Sequence, residues 1–148
     1  MNADPRVIIG PQDGEHLAVK PIRRNHPECN DYWDGNWLAC AIDVNVGGFR
    51  GHVDADLRAE EFASFRDGLQ RLYNQLNGEA TFETREHWLT IHVVGDGRGH
   101  FEATCQLRDE PGIGNCLAFS LAFDQTYLPA VLRSLEAILL RFPVIGRP

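Results

Sequence analysis

Strand alternation sends three histidines, His52, His92 and His100, to one side of a sheet. With Asp54 or Glu102 they make a nitrogen and oxygen set suited to zinc or another transition metal. Metal sets of this kind are usually recognised by short spacings, such as two histidines one helical turn apart, and no such spacing occurs here. The histidines are therefore read as solvated, and no metal or cofactor is expected. Glu79, Glu83 and Glu102 offer the paired carboxylates of a glycosidase, which stand about 5 to 10 Å apart, but many acidic sheets meet that condition. Ser120 lacks the flanking glycines of a nucleophile elbow. Gly95, Gly97 and Gly99 miss the spacing of a phosphate-binding loop and open no helix. No catalytic residue is assigned.

Cys29, Cys40, Cys105 and Cys116 show no Cys-x-x-Cys spacing, which argues against a zinc site, a redox motif or a disulfide framework. Cys40 and Cys105 fall inside apolar-alternating stretches and are expected to act as small core residues. The segment Asp31 to Trp37 is the most unusual in the chain, with Tyr32, Trp33 and Trp37 set among Asp31 and Asp34. Its plainest reading is an aromatic plug at the end of a sheet.

The elements that would hold these residues follow from periodicity. A hairpin is expected from Arg6–Ile9 and Glu15–Ile22, then a loop over 23–35. Strands over 36–44 and 49–55 reverse through Gly47 and Gly48. From Leu57 the period lengthens: Phe62, Phe65, Leu69, Leu72 and Leu76 recur at steps of three and four, so this stretch is an amphipathic helix. Asp56 is the expected cap and Gly78 the expected stop. Strands over 79–84, 87–94, 99–107 and 117–123 follow, and a second helix carries Leu128, Val131, Leu132, Leu135 and Ile138, capped by Thr126.

The fold class expected is α+β: a single antiparallel β-sheet with two α-helices packed on one face, in the order strands, helix, strands, helix, as one domain over residues 1–148. Leu72 and Leu135 belong to the shared core. Alternation selects Leu38, Cys40, Ile42, Phe49 and Val53, then Phe82, Ile91, Phe101, Cys105 and Phe123, to meet the helices. Trp37, Asp43, His52, Asp54, Glu83, Trp88, His92 and Glu102 then face outward. Tryptophans beside carboxylates and imidazoles make that face the candidate partner-binding surface.

Fourteen Lys and Arg against 21 Asp and Glu give a net charge of −7. That charge disfavours nucleic acid, whose affinity comes from neutralised phosphates, and suits a basic protein. No apolar run approaches the roughly eighteen residues of a membrane span, and the start, Met-Asn-Ala-Asp-Pro-Arg, lacks the order of a secretion signal. The expected compartment is the cytoplasm, with no membrane partner.

Tyr32-Trp33-Asp34-Gly35-Asn36-Trp37-Leu38, an Asp-Leu-x-x-Glu-Glu-Phe helix start at 56 to 62, and Asp124-Gln125-Thr126-Tyr127-Leu128 before the last helix resemble the bacterial WapI-type immunity proteins. The resemblance runs from about Asp31 to Leu139 and leaves the first thirty residues outside it. It implies a small cytoplasmic protein that binds and blocks the C-terminal domain of a cognate contact-dependent toxin, and it carries no catalytic residues. A basic toxin domain such as a nuclease would match the acidic face. Two other readings use the same face: a small enzyme or ligand-binding domain for a sugar or metal-bound substrate, and a structural homodimer.

Overall fold

The computed structural model describes residues 4–148; residues 1–3, which begin the stretch read above for a secretion signal, lie outside it. Four antiparallel strands come first, β1 (Val7–Ile9), β2 (His16–Arg24), β3 (Trp37–Val46) and β4 (Phe49–Arg58). A four-residue helix α1 (Tyr32–Gly35) stands between β2 and β3, inside the stretch expected to be loop, and β2 itself runs on into that stretch as far as Arg24. Helix α2 (Ala59–Gln75) leads to β5 (Asn77–Glu83), β6 (Leu89–Asp96), β7 (His100–Arg108) and β8 (Cys116–Asp124). A 3₁₀ turn at Gln125–Tyr127 opens onto helix α3 (Leu128–Arg141).

These eight strands form two sheets, ordered β1-β2-β3-β4 and β5-β6-β7-β8, and not the single sheet expected. Short connections favour antiparallel neighbours within each set of four, and β2 and β3 pair antiparallel across the longer stretch that holds α1. Between β4 and β5 the chain passes through α2 instead of a hairpin, so no short connection fixes β5 to an existing edge. Each sheet buries one face. The inward residues of both join α2 and α3 in one apolar cluster that includes Leu38, Ile42, Phe62, Leu72, Phe82, Ile91, Phe101 and Leu135. The helices pack against each other as expected, α2 lying against β5 and α3 against β1.

Cys40 and Cys105 are buried and free, as their alternating contexts imply, and burial pushes the Cys105 thiol up to about 12. Phe49 departs from its expected burial and is 63% exposed. It sits beside the Gly47–Gly48 reversal, at the tip of the β3–β4 hairpin, where it is the first residue of β4.

The helix ends also differ from expectation. Strand β4 continues through Asp56, which faces outward and accepts a hydrogen bond from Asn25, so it caps nothing. Arg58 takes the N-cap position, and its backbone N–H donates to Glu61 at 2.7 Å, the returning half of a capping box. An arginine side chain has no acceptor to supply the other half. At the far end Leu76 adopts the left-handed conformation (φ 65°), while Gly78 lies in β5. Thr126 is inside the 3₁₀ turn; Asp124 accepts from its N–H at 2.8 Å and does the capping.

Candidate functional site

The aromatic segment is built around Arg58. This side chain is 1% exposed, although strand alternation aims it at the outer face beside its cross-strand neighbour Trp37. Its guanidinium lies 4.8 Å from the Trp37 ring centroid, 5.2 Å from Tyr32 and 5.9 Å from Trp33. It donates to the carbonyls of Trp33 and Tyr32 at 2.8 and 2.7 Å and pairs with Glu60. Three π faces and two carbonyls replace the water that a buried cation loses.

The same segment is closed by the end of the chain. Asp31 accepts from the Asp34 N–H at 3.0 Å, which folds α1 as a single turn. Asn36, fully buried, donates to the carbonyls of Tyr32 and Ile145 and accepts from the Ile145 N–H at 2.8 Å. Arg24 donates to Gly35 and Pro143. A Cβ on Gly35 would meet the Cys29 carbonyl at 3.0 Å, so glycine is needed for this close approach. The plug expected here is therefore a cage, and its central cation is the residue that sequence reasoning missed. The signal was present in an arginine three residues before Glu61, at the capping-box position, in a chain with a tryptophan-rich segment upstream.

Beneath the cage, Glu61 accepts from the backbone N–H groups of Arg58 and Arg85 at 2.7 and 2.6 Å. Burial raises its pKa from the ordinary 4.5 to about 7, against the opposing pull of those two donors. Between these values the folded chain holds a proton that the unfolded chain releases, so this group's contribution to stability falls as pH rises from about 4.5 to 7. Glu61→Gln is expected to flatten the decline. Melting temperatures of both proteins across that window check it, and parallel curves would refute the assignment.

The eight residues expected on one outer face are divided between the two sheets. Asp43, His52 and Asp54 meet on the first. His52 Nδ1 is 2.7 Å from Asp43 across the strand pair and Nε2 is 3.0 Å from Asp54, all three side chains being exposed. The hydrogen bonds to Asp43 and then Asp54 raise the His52 pKa above the ordinary imidazole value. Glu83, His92 and Glu102 lie on the second sheet, where His92 contacts Glu79 at 2.9 Å. Glu79 and Glu102 flank Val94, two strands apart, both exposed. Trp37 is half-buried against Arg58. Trp88, just before β6, is half-buried against the core with its indole N–H unpaired.

His52 thus stands on a different sheet from His92 and His100, and the three do not assemble. Among the described residues, a set of three ligand atoms all within 4.8 Å of one another is found at Cys29, Asp31 and Asp34. Burial and the adjoining carboxylates raise the Cys29 thiol, which favours its protonated form. A shallow groove of about 680 Å³ opens on the second sheet between Val94, Asp96, His100, Glu102 and Ala122. Backbone N–H donors hold Asp96 below the usual carboxylate range. This surface can attract cations and pair with donors. No helix among the described residues is long and apolar enough to cross a membrane.

Residues 7–143 match the immunity protein WapI-like family, from the first residue of β1 to just past α3. The chain belongs to that family. The match takes in the N-terminal hairpin, which the motif resemblance left outside, and so covers both sheets. In this WapI-like protein the Trp-Asp-Gly-Asn-Trp segment is the wall of the Arg58 cage. No curated protein matches the chain. Among solved structures, that of the plant transcriptional regulator PBF-2 is similar over 96% of this chain and 83% of that one, with a TM-score of 0.51 and 10% identity. At that identity the likeness concerns the two-sheet fold alone.

Proposed function

We propose that this WapI-like protein acts in the cytoplasm as an immunity protein and neutralises a cognate, basic toxin domain, such as a nuclease, by binding it without chemistry. Family membership supports the toxin partner. The observation that carries the choice of a basic one is the set of exposed carboxylates on the outer sheet faces of a chain with a net charge of −7. Asp43 and Asp54 with His52 form a steering patch on the first sheet, and Glu83 and Glu102 with His92 form one on the second. Trp37 and Trp88 add the exposed edges of their rings to them.

Long-range attraction acts on encounter more than on the lifetime of a complex. Asp54→Lys and Glu102→Lys are therefore expected to slow association by about three- to tenfold at low salt and to flatten its salt dependence, with dissociation little changed. The probe is the C-terminal domain encoded by a toxin gene adjacent to the gene for this chain. Association and dissociation rates at two ionic strengths check the proposal. Wild-type rates in both variants would move the interface elsewhere, and failure of the wild-type protein to bind would end the reading.

A further inference from the structure

Strand β8 is the edge of the second sheet, and its ladder bonds identify which backbone groups are free. The Gln125 N–H donates to Gly99 and the Asp109 N–H to Asn115, so pairs 99/125 and 109/115 are the hydrogen-bonded ones in the β7–β8 register. Stepping by two between them, Leu117, Phe119, Leu121 and Phe123 bond to β7, whereas Ala118, Ser120 and Ala122 direct their N–H and C=O groups away from the sheet.

Edges of this length are normally blunted. The other edges are: β1 has three residues, β4 carries Arg50, His52, Asp54 and Asp56, and β5 carries Glu79 and Glu83. From Cys116 to Phe123, β8 has neither a charge nor a proline. On its helix-facing side Leu117 and Phe119 are only half covered, although Leu121 and Phe123 on the same row are buried. Its outer side carries the small residues Ala118, Ser120 and Ala122, of which Ala122 lines the groove beside its cross-strand neighbour Glu102.

We infer that β8 is the docking edge for an extended strand of a cationic protein, which adds a fifth strand to the second sheet; this rests on the toxin-binding reading and names its mode. Main-chain bonds to Ala118, Ser120 and Ala122 supply the pairing. Alternate side chains of the incoming strand are apolar where they cover Leu117 and Phe119 and basic where they meet Glu102. The net charge of −7 disfavours a second copy of this chain in that place.

Proline at position 120 removes an outward N–H and leaves the β7 ladder intact, because that N–H makes no ladder bond. With the adjacent-gene toxin domain as probe, Ser120→Pro is expected to weaken binding by about tenfold or more at an unchanged unfolding midpoint, and Ser120→Ala to bind like wild type. Should the Ser120→Pro midpoint fall, Ala118→Pro has the same outward N–H and takes its place. Hydrogen exchange on the wild-type complex needs no variant: the amides of 118, 120 and 122 should become protected. Wild-type affinity in the folded proline variant, or unprotected amides, would overturn edge pairing while leaving toxin binding in place. No binding by the wild-type protein would remove both. A wild-type dimer in sedimentation that Ser120→Pro converts to monomer would assign the edge to a second copy and overturn the inference.

Discussion

Replacing Arg58 with alanine is expected to destabilise the fold by about 3 to 5 kcal/mol, the range for breaking a buried ion pair from one side. Three losses combine: the Glu60 carboxylate keeps its half-buried position without a partner, the Tyr32 and Trp33 carbonyls lose their donors, and three rings lose the cation they surround. Arg58→Lys keeps the charge but not the planar fork that reaches two carbonyls at once, and should recover only part of the loss. Urea unfolding gives the magnitude. Near-ultraviolet circular dichroism reports whether Trp33 and Trp37 keep their asymmetric setting. A cost below about 1 kcal/mol with an unchanged tryptophan signal would show that the cage does not hold the segment.

A comparable loss is expected at Phe82. Its ring lies 5.3 Å from that of Phe62 and 5.4 Å from that of Phe65, and these three join β5 to α2. Phe82→Ala leaves a cavity in a site that is 2% exposed, which typically costs about 3 to 5 kcal/mol. Phe82→Leu fills most of that volume and should cost under about 1.5 kcal/mol. The measurement is the shift in urea midpoint at constant slope. Equal midpoints for the alanine and leucine variants would mean that packing against α2 does not decide the stability of the second sheet.

Alternation and helical period were enough to place most of the core, because each is a local consequence of one buried face. Phe62, Leu69, Ile91 and Leu135 all lie where their spacing puts them. The partition of eight strands into two sheets was not legible, since hairpin signals specify neighbours only where the connection is short and α2 replaces the one that matters. The candidate surface suffered for the same reason. His52 and His92 share an alternation phase but not a sheet, so equal phase did not mean equal place. Arg58 was missed because a charged residue is ordinarily solvated, and only the three-dimensional return of residues 32–37 supplies what buries it. At the helix ends the caps lie two residues before their expected positions, Leu76 instead of Gly78 and Asp124 instead of Thr126.

The pairing of Asn36 with Ile145 also bears on the order in which the chain is made and folded. The two sheets consist of antiparallel neighbours formed by adjacent strands, so each can assemble soon after its own residues leave the ribosome. The cage wall is different, because Asn36 and Arg24 wait for carbonyls at 143 and 145, more than a hundred positions later in synthesis. Until those residues emerge, the tryptophan-rich segment lacks its last partners. A nascent chain stalled short of residue 143 would then leave buried Asn36 and its neighbour Trp37 open to chaperones and proteases, and protection of this segment from limited digestion would mark the moment of completion.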